Sequence, residues 1–254
     1  MKKISENLDT LKGLMFNEEE DYSKIKLLID DMVNTLPWTE NIDSFIDFLD
    51  ISVDGIYDIE TSSQYSKITE LALQLYNKIK IDAHPLQLKL ANAINTWLNH
   101  KLEMQDCPEK SVECRISLLL FTDIISNINL VSNDSSLTND YQEFSALSLM
   151  IGLEDRNYEL VEQAIIAQRK VLELYTNGKF PDYYNIHTFI LGARTSLAST
   201  LMEAYKFDRL RYSKYYKEIG VILENVVKER ESCGTDSDRE YSLGLFEEYV
   251  NCME

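Results

Sequence analysis

Apolar residues in this chain recur at spacings of three and four, and that pattern restricts the chain to packed amphipathic helices. Val161, Ala164, Ile165, Val171, Leu172 and Tyr175 form one such stripe. Ile186, Ile190, Ala193, Leu197, Leu201 and Tyr205 form the next, and Tyr215, Ile219, Ile222, Leu223, Val226 and Val227 a third. Each stripe has to be buried against another element, so each helix needs a partner. No segment alternates with period two between Asn-Gly or Asp-Gly turns, so no hairpin is expected. With only 8 Gly and 4 Pro in 254 residues, chain breakers are few. Long helices joined by short turns follow.

The breakers help to place the boundaries. Proline fits a first helical turn and disrupts an interior; Pro37, Pro85, Pro108 and Pro181 each sit near a helix start, with Thr39, Asp106 and Asp182 as nearby capping side chains. Polar clusters at 17–20, 132–140 and 232–238 read as turns. The helices predicted on this basis span 4–15, 19–34, 39–60, 65–80, 85–104, 109–130, 139–153, 157–177, 183–205, 209–230 and 238–251. The expected fold class is therefore all-α, an array of antiparallel helices numbering nine or more, in one continuous domain over 1–254. The helix-turn-helix rhythm is that of a repeat scaffold, but the Trp-Leu-Gly-Tyr signature of tetratricopeptides at a period of roughly 34 residues is missing.

Charge then narrows the partners. Asp and Glu number 43 against 25 Lys and Arg, a formal charge of -18. Such a chain repels phosphate backbones and anionic lipid at long range, so proteins or peptides are the expected partners, not nucleic acid or membrane. No run of about 18 apolar residues occurs, and Met1 to Asn7 contains no apolar signal segment, so a cytoplasmic location is expected. Cys107, Cys114, Cys233 and Cys252 form no CxxC pair and read as free thiols. The 3 His residues do not follow a cysteine at a zinc-ligand spacing.

The sequence carries no recognised catalytic signature. Asp30-Asp31-Met32-Val33-Asn34 falls short of the DDxxD run that holds magnesium on a helix face, and Asn133-Asp134 is followed by Leu137 where the companion motif needs serine. Asp30 and Asp31 read instead as a solvated face. No Gly-rich phosphate loop, HExxH or GxSxG occurs. His84, His100 and His187 lie far apart, and His187 falls within an apolar stripe, as a core or interface histidine would. Arg194 reads as a surface ion pair, or as a groove cation able to hold a carboxylate or phosphate. No catalytic residue, metal or cofactor is expected, and a binding protein is the resulting expectation.

Several segments, taken in order, carry a family resemblance. Leu14 to Val33, with Glu20, Tyr22 and Ile25, and Glu40 to Gly55, with Phe45, Ile46 and Val53, look like the first and third helices of the 14-3-3 family. Val161-Glu162-Gln163-Ala164 is similar to that family's V-D-Q-S, and Pro181 falls where it has a proline before the next helix. Leu243 to Val250 resembles its last helix. Residues from about Ile59 to Asn139 fit least well. The resemblance implies a cytosolic adaptor in signalling: a helical homodimer formed through N-terminal helices, binding phosphorylated peptides in a concave groove.

The positions that would grip phosphate have changed. On this alignment Ile51 and Asp58 stand where the family has Lys and Arg, and Ala146 and Leu147 where it has an Arg-Tyr pair. Gly192 and Tyr249 stand where it has groove asparagines. Leu147, Leu191, Leu245 and Tyr249 would wall the groove, with Arg194 beside them. Charge-assisted contacts to phosphate cannot be made by most of these side chains. The resemblance therefore implies a 14-3-3-like scaffold with a degraded or rebuilt groove, unless Arg194, Arg209 or Arg211 replaces the missing cations. An unrelated acidic helical-repeat scaffold or a toxin-neutralising protein is the alternative, with an all-α enzyme ranked after them.

Overall fold

The computed structural model describes residues 2–15, 22–56, 62–79, 85–102, 107–127, 134–178, 180, 185–233 and 235–252. Among them are eleven α-helices and no strand: α1 Lys2–Met15, α2 Tyr22–Thr35, α3 Ile42–Ile56, α4 Ser62–Ile79, α5 Pro85–Leu102, α6 Val112–Ser126, α7 Asp134–Glu154, α8 Tyr158–Asn177, α9 Ile186–Phe207, α10 Tyr216–Arg230 and α11 Asp236–Asn251. The all-α array is as the periodicity predicts. The chain divides into two compact units, Met1–Leu130 and Val131–Glu254, and the division falls inside the stretch that the family resemblance covers least.

In the first unit α1 packs on α2 and α3, α2 on α4, α3 on α5, and α5 on α4 and α6. Its core is aromatic. Trp38, 2% exposed, stacks on Phe48 and meets Phe45 edge-on, each at 5.3 Å, while its indole N–H donates to the Met32 carbonyl at 3.0 Å. Trp97 stacks on Tyr65 at 5.1 Å and donates to Thr69 Oγ1 at 2.9 Å. Rings of this size dominate core energetics when their polar tips find partners. Asp30 is not simply solvated, as its sequence context suggested. Partial burial opposes its charge, but hydrogen bonds from Lys67 at 3.1 Å and Gln64 at 3.0 Å hold its carboxyl below the usual range and tie α2 to α4.

In the second unit each helix packs on the next, α7 on α8 through to α10 on α11, with α9 also touching α7 and α11. Val161, Ile165, Leu197, Leu201, Tyr212, Ile219 and Leu223 are each at most 2% exposed and form one core, so the three stripes face each other. In the last turn of α7 Gly152 lies so close to α8 that a Cβ would sit 3.0 Å from the Val161 nitrogen. This close approach needs a residue without a side chain.

Several boundaries differ from the sequence expectation, for local reasons. Helix α7 begins at Asp134 rather than 139, because Thr138 and Asp140, read as turn residues, are 1% and 7% exposed and belong to buried helix. Thr39 does not cap α3; it lies in the tight 3-10 turn Trp38–Glu40. Helix α6 is capped by Ser111, whose side chain accepts from the Cys114 N–H at 3.0 Å. Asn157 caps α8 by accepting from Glu159 and Leu160, and Thr235 with Asp238 forms a capping box on α11. Helix α10 starts at Tyr216, not 209. His187 is exposed, with 55% of its side chain accessible and Glu229 at 3.9 Å, because the buried face of α9 begins further on with Leu191 and Ala193. Asp58, His84, Asp106, Asn133, Pro181 and Asp182 lie outside the described residues. All four cysteines are free thiols.

Candidate interaction site

The turn between α9 and α10 is built by Asp208. Its backbone N–H closes α9 on the Ala204 carbonyl, while its carboxylate accepts from the N–H of Leu210 at 3.1 Å and of Arg211 at 3.0 Å. An acceptor offered to the two following amides competes with helix continuation, which is why α9 stops here. The Tyr212 N–H then donates to the Asp208 carbonyl at 3.0 Å, and Ser213 Oγ donates to the Leu210 carbonyl at 3.0 Å. Tyr212 is 0% exposed and anchors the turn in the core. Burial and the Glu162 carboxylate push its hydroxyl up to about 12, so it stays neutral.

This rigid turn displays an apolar side chain between two cations. Leu210 is 90% exposed, and Arg209 and Arg211 flank it. The Arg211 guanidinium lies 4.6 Å from the Tyr158 ring centroid, with its Nε 3.6 Å from Glu162. Arg209 lies 5.9 Å from the Tyr205 ring and Lys214 4.7 Å from the Tyr215 ring. Beneath them Arg169 of α8 pairs with Glu218 of α10 at 2.7 Å. From Tyr205 to Lys217 the chain holds Lys206, Arg209, Arg211, Lys214 and Lys217 against one carboxylate, Asp208, so this stretch reverses the sign of a chain whose total is -18. Arg and aromatic side chains around an exposed apolar anchor are the residue types that carry binding energy at protein interfaces.

Of the positions assigned to a peptide groove, Ile51 falls on α3 of the first unit and the others described fall on α7, α9 and α11 of the second. Ile51 is 7% exposed on α3 of the first unit, and Asp58 lies outside the described residues. On α7 Ala146 is exposed while Leu147 is buried, and on α9 Leu191 is 0% exposed. Leu245 is buried in the core of the second unit, and Tyr249 packs against that core and stacks on Tyr216 at 4.8 Å. Leu147, Leu191 and Leu245 are thus buried within the second unit. Gly192 faces open space. Arg194 donates to Glu229 at 2.8 Å, as a surface ion pair would. Of the candidate replacement cations, Arg209 and Arg211 are therefore the ones that share a surface.

Sequence reading assigned this turn to the start of a helix and so missed Leu210 and Tyr158. The available signal was the density of cations and tyrosines after Phe207, together with an Asp able to cap the following amides. No helix among the described residues is long and apolar enough to cross a membrane, and none of their His, Cys, Asp and Glu side chains gather into a group that could hold a metal. Compared with family models, curated proteins and solved structures, the chain matches none.

Proposed function

We propose that this protein is a non-enzymatic, protein-binding adaptor: a divergent helical scaffold resembling 14-3-3 proteins, whose contact surface is the corner between α9 and α10. The observation that carries this reading is Leu210, 90% exposed on a turn fixed by four hydrogen bonds. A preorganised anchor loses little freedom on binding, so its contacts convert efficiently into affinity. The sequence segments quoted above support the family part of the reading, and the burial of Leu147, Leu191 and Leu245 supports a groove that no longer takes phosphopeptides.

Three measurements test its parts. Partners recovered from the source cells on the tagged chain should drop on Leu210→Asp; equal recovery on both would refute the corner. Calorimetry with a consensus phosphoserine peptide should show no binding, and micromolar or tighter affinity would overturn the lost groove. The family resemblance also implies a homodimer through the N-terminal helices, which a monomeric mass by light scattering at micromolar concentration would remove.

A further inference from the structure

The cations of the corner differ in what they already bind. Lys206 is paired with Glu203 and Glu248, and Arg211 has Glu162 near its Nε. Arg209 and Lys214, by contrast, lie over tyrosine rings and form no ion pair among the described residues. A guanidinium that rests its face on a ring keeps its edge N–H donors free for a planar, two-pronged acceptor. Arg209 offers such an edge on one side of Leu210, and on the other Arg211, with its Nε facing Glu162, retains its terminal Nη pair.

We infer that this corner receives an acidic protein segment in which an apolar side chain sits between carboxylates. The apolar side chain would meet Leu210, and its flanking Asp or Glu residues would take the Arg209 and Arg211 edges as bidentate pairs. This rests on the corner being the contact surface. Nucleic acid also carries anions, but every phosphate drawn to the corner meets the repulsion of a chain at -18. A short acidic segment brings fewer charges near the rest of the surface, and it offers Leu210 an apolar contact that a phosphate backbone does not. Local attraction within a net repulsive field favours the orientation that sets the segment against Arg209 and Arg211.

The test pans a display library of random peptides, roughly twelve residues long, against the full chain, Leu210→Asp and the double variant Arg209→Glu/Arg211→Glu. All three substitutions are at exposed turn positions, and circular dichroism checks that each variant keeps its helices. Peptides enriched on the wild type should carry an apolar residue flanked by Asp or Glu. Their affinity by fluorescence anisotropy should fall at least tenfold on the double variant and weaken as salt is raised. Enriched peptides without acidic bias that still depend on Leu210 would overturn the inference while leaving the corner as the contact surface. Peptides that bind all three proteins alike, or no enrichment at all, would remove both. A single-stranded oligonucleotide that binds as tightly as the selected peptides, with the same loss on the double variant, would overturn the acidic peptide in favour of nucleic acid. Salt-sensitive self-association seen by light scattering and abolished by the double variant would overturn it in favour of a second copy.

Discussion

Replacing Gly152 and Gly192 separately by alanine makes the same chemical change in two helix interiors of one unit, with opposite expected signs. A Cβ on Gly152 would lie 2.9 Å from Val161 Cγ2, 3.0 Å from the Val161 nitrogen and 3.1 Å from Leu160 Cβ. Ordinary contact is about 3.5–4.0 Å, so the first turn of α8 must retreat by roughly 0.5–1 Å. One of the opposing atoms is backbone, which cannot rotate away. Overpacking of this kind costs about 1–3 kcal/mol, and the alanine recovers about 0.5–1 kcal/mol of helix propensity. Gly152→Ala should therefore lose about 1 kcal/mol, within a range of roughly 0–2.5 kcal/mol. A Cβ on Gly192 meets nothing within 4 Å, so Gly192→Ala keeps the propensity term alone and gains about 0.5–1 kcal/mol. Hydrogen exchange by mass spectrometry on α7 and α8 is the appropriate assay, since both tryptophans lie in the first unit and their fluorescence reports on it. Equal protection in the two variants would refute the close approach of α7 to α8.

Asp140 is 7% exposed, and burial pushes its carboxyl up from 3.8 to about 6. The folded protein then releases this proton later than the unfolded chain does. Stability should fall as pH rises from near 4 through 6, by up to about 3 kcal/mol at this site. Asp140→Asn should remove that slope and be the more stable protein at pH 7; urea midpoints across the range would show it, and an unchanged slope would contradict it. Thr235→Ala opens the α11 capping box and should cost about 1 kcal/mol, while Thr235→Ser should keep most of it by the same assay. Lys206 contacts both Glu203 and Glu248 but stays 30% accessible, so Lys206→Met should move stability by under about 1 kcal/mol. A larger loss in thermal unfolding would mean that the network is more desolvated than its exposure indicates.

The helices were legible because their determinants are local. A stripe such as Val161, Ile165 and Leu172 shows its period whatever it packs against, whereas the caps that form, Asn157 and Thr235, are not the ones read from the sequence. Legibility failed where a neighbour decided the outcome. Asp140 and Thr138 read as turn residues, yet helix packing buries them. His187 falls within the span of its stripe but about 100° around the helix from Ile186, and so it is exposed, with Glu229 of α10 beside it. The exposure of the groove positions likewise depends on neighbours. Alignment assigned Leu147, Leu191 and Leu245 to a wall, whereas burial is a property of what surrounds a side chain.

By itself, then, the sequence determined an acidic, all-helical chain with its apolar stripes and most of its helix ends, since periodicity and capping act within one turn. Only the tertiary structure decided which stripes meet, where Gly152 admits no side chain, and that the Asp208 turn breaks a run otherwise fit for helix. That last decision creates the candidate site. Had α9 run on into α10, Leu210 and Arg211 would have pointed to different faces. The turn instead holds them together on one exposed corner, because a single carboxylate captured two backbone amides that a helix would have used.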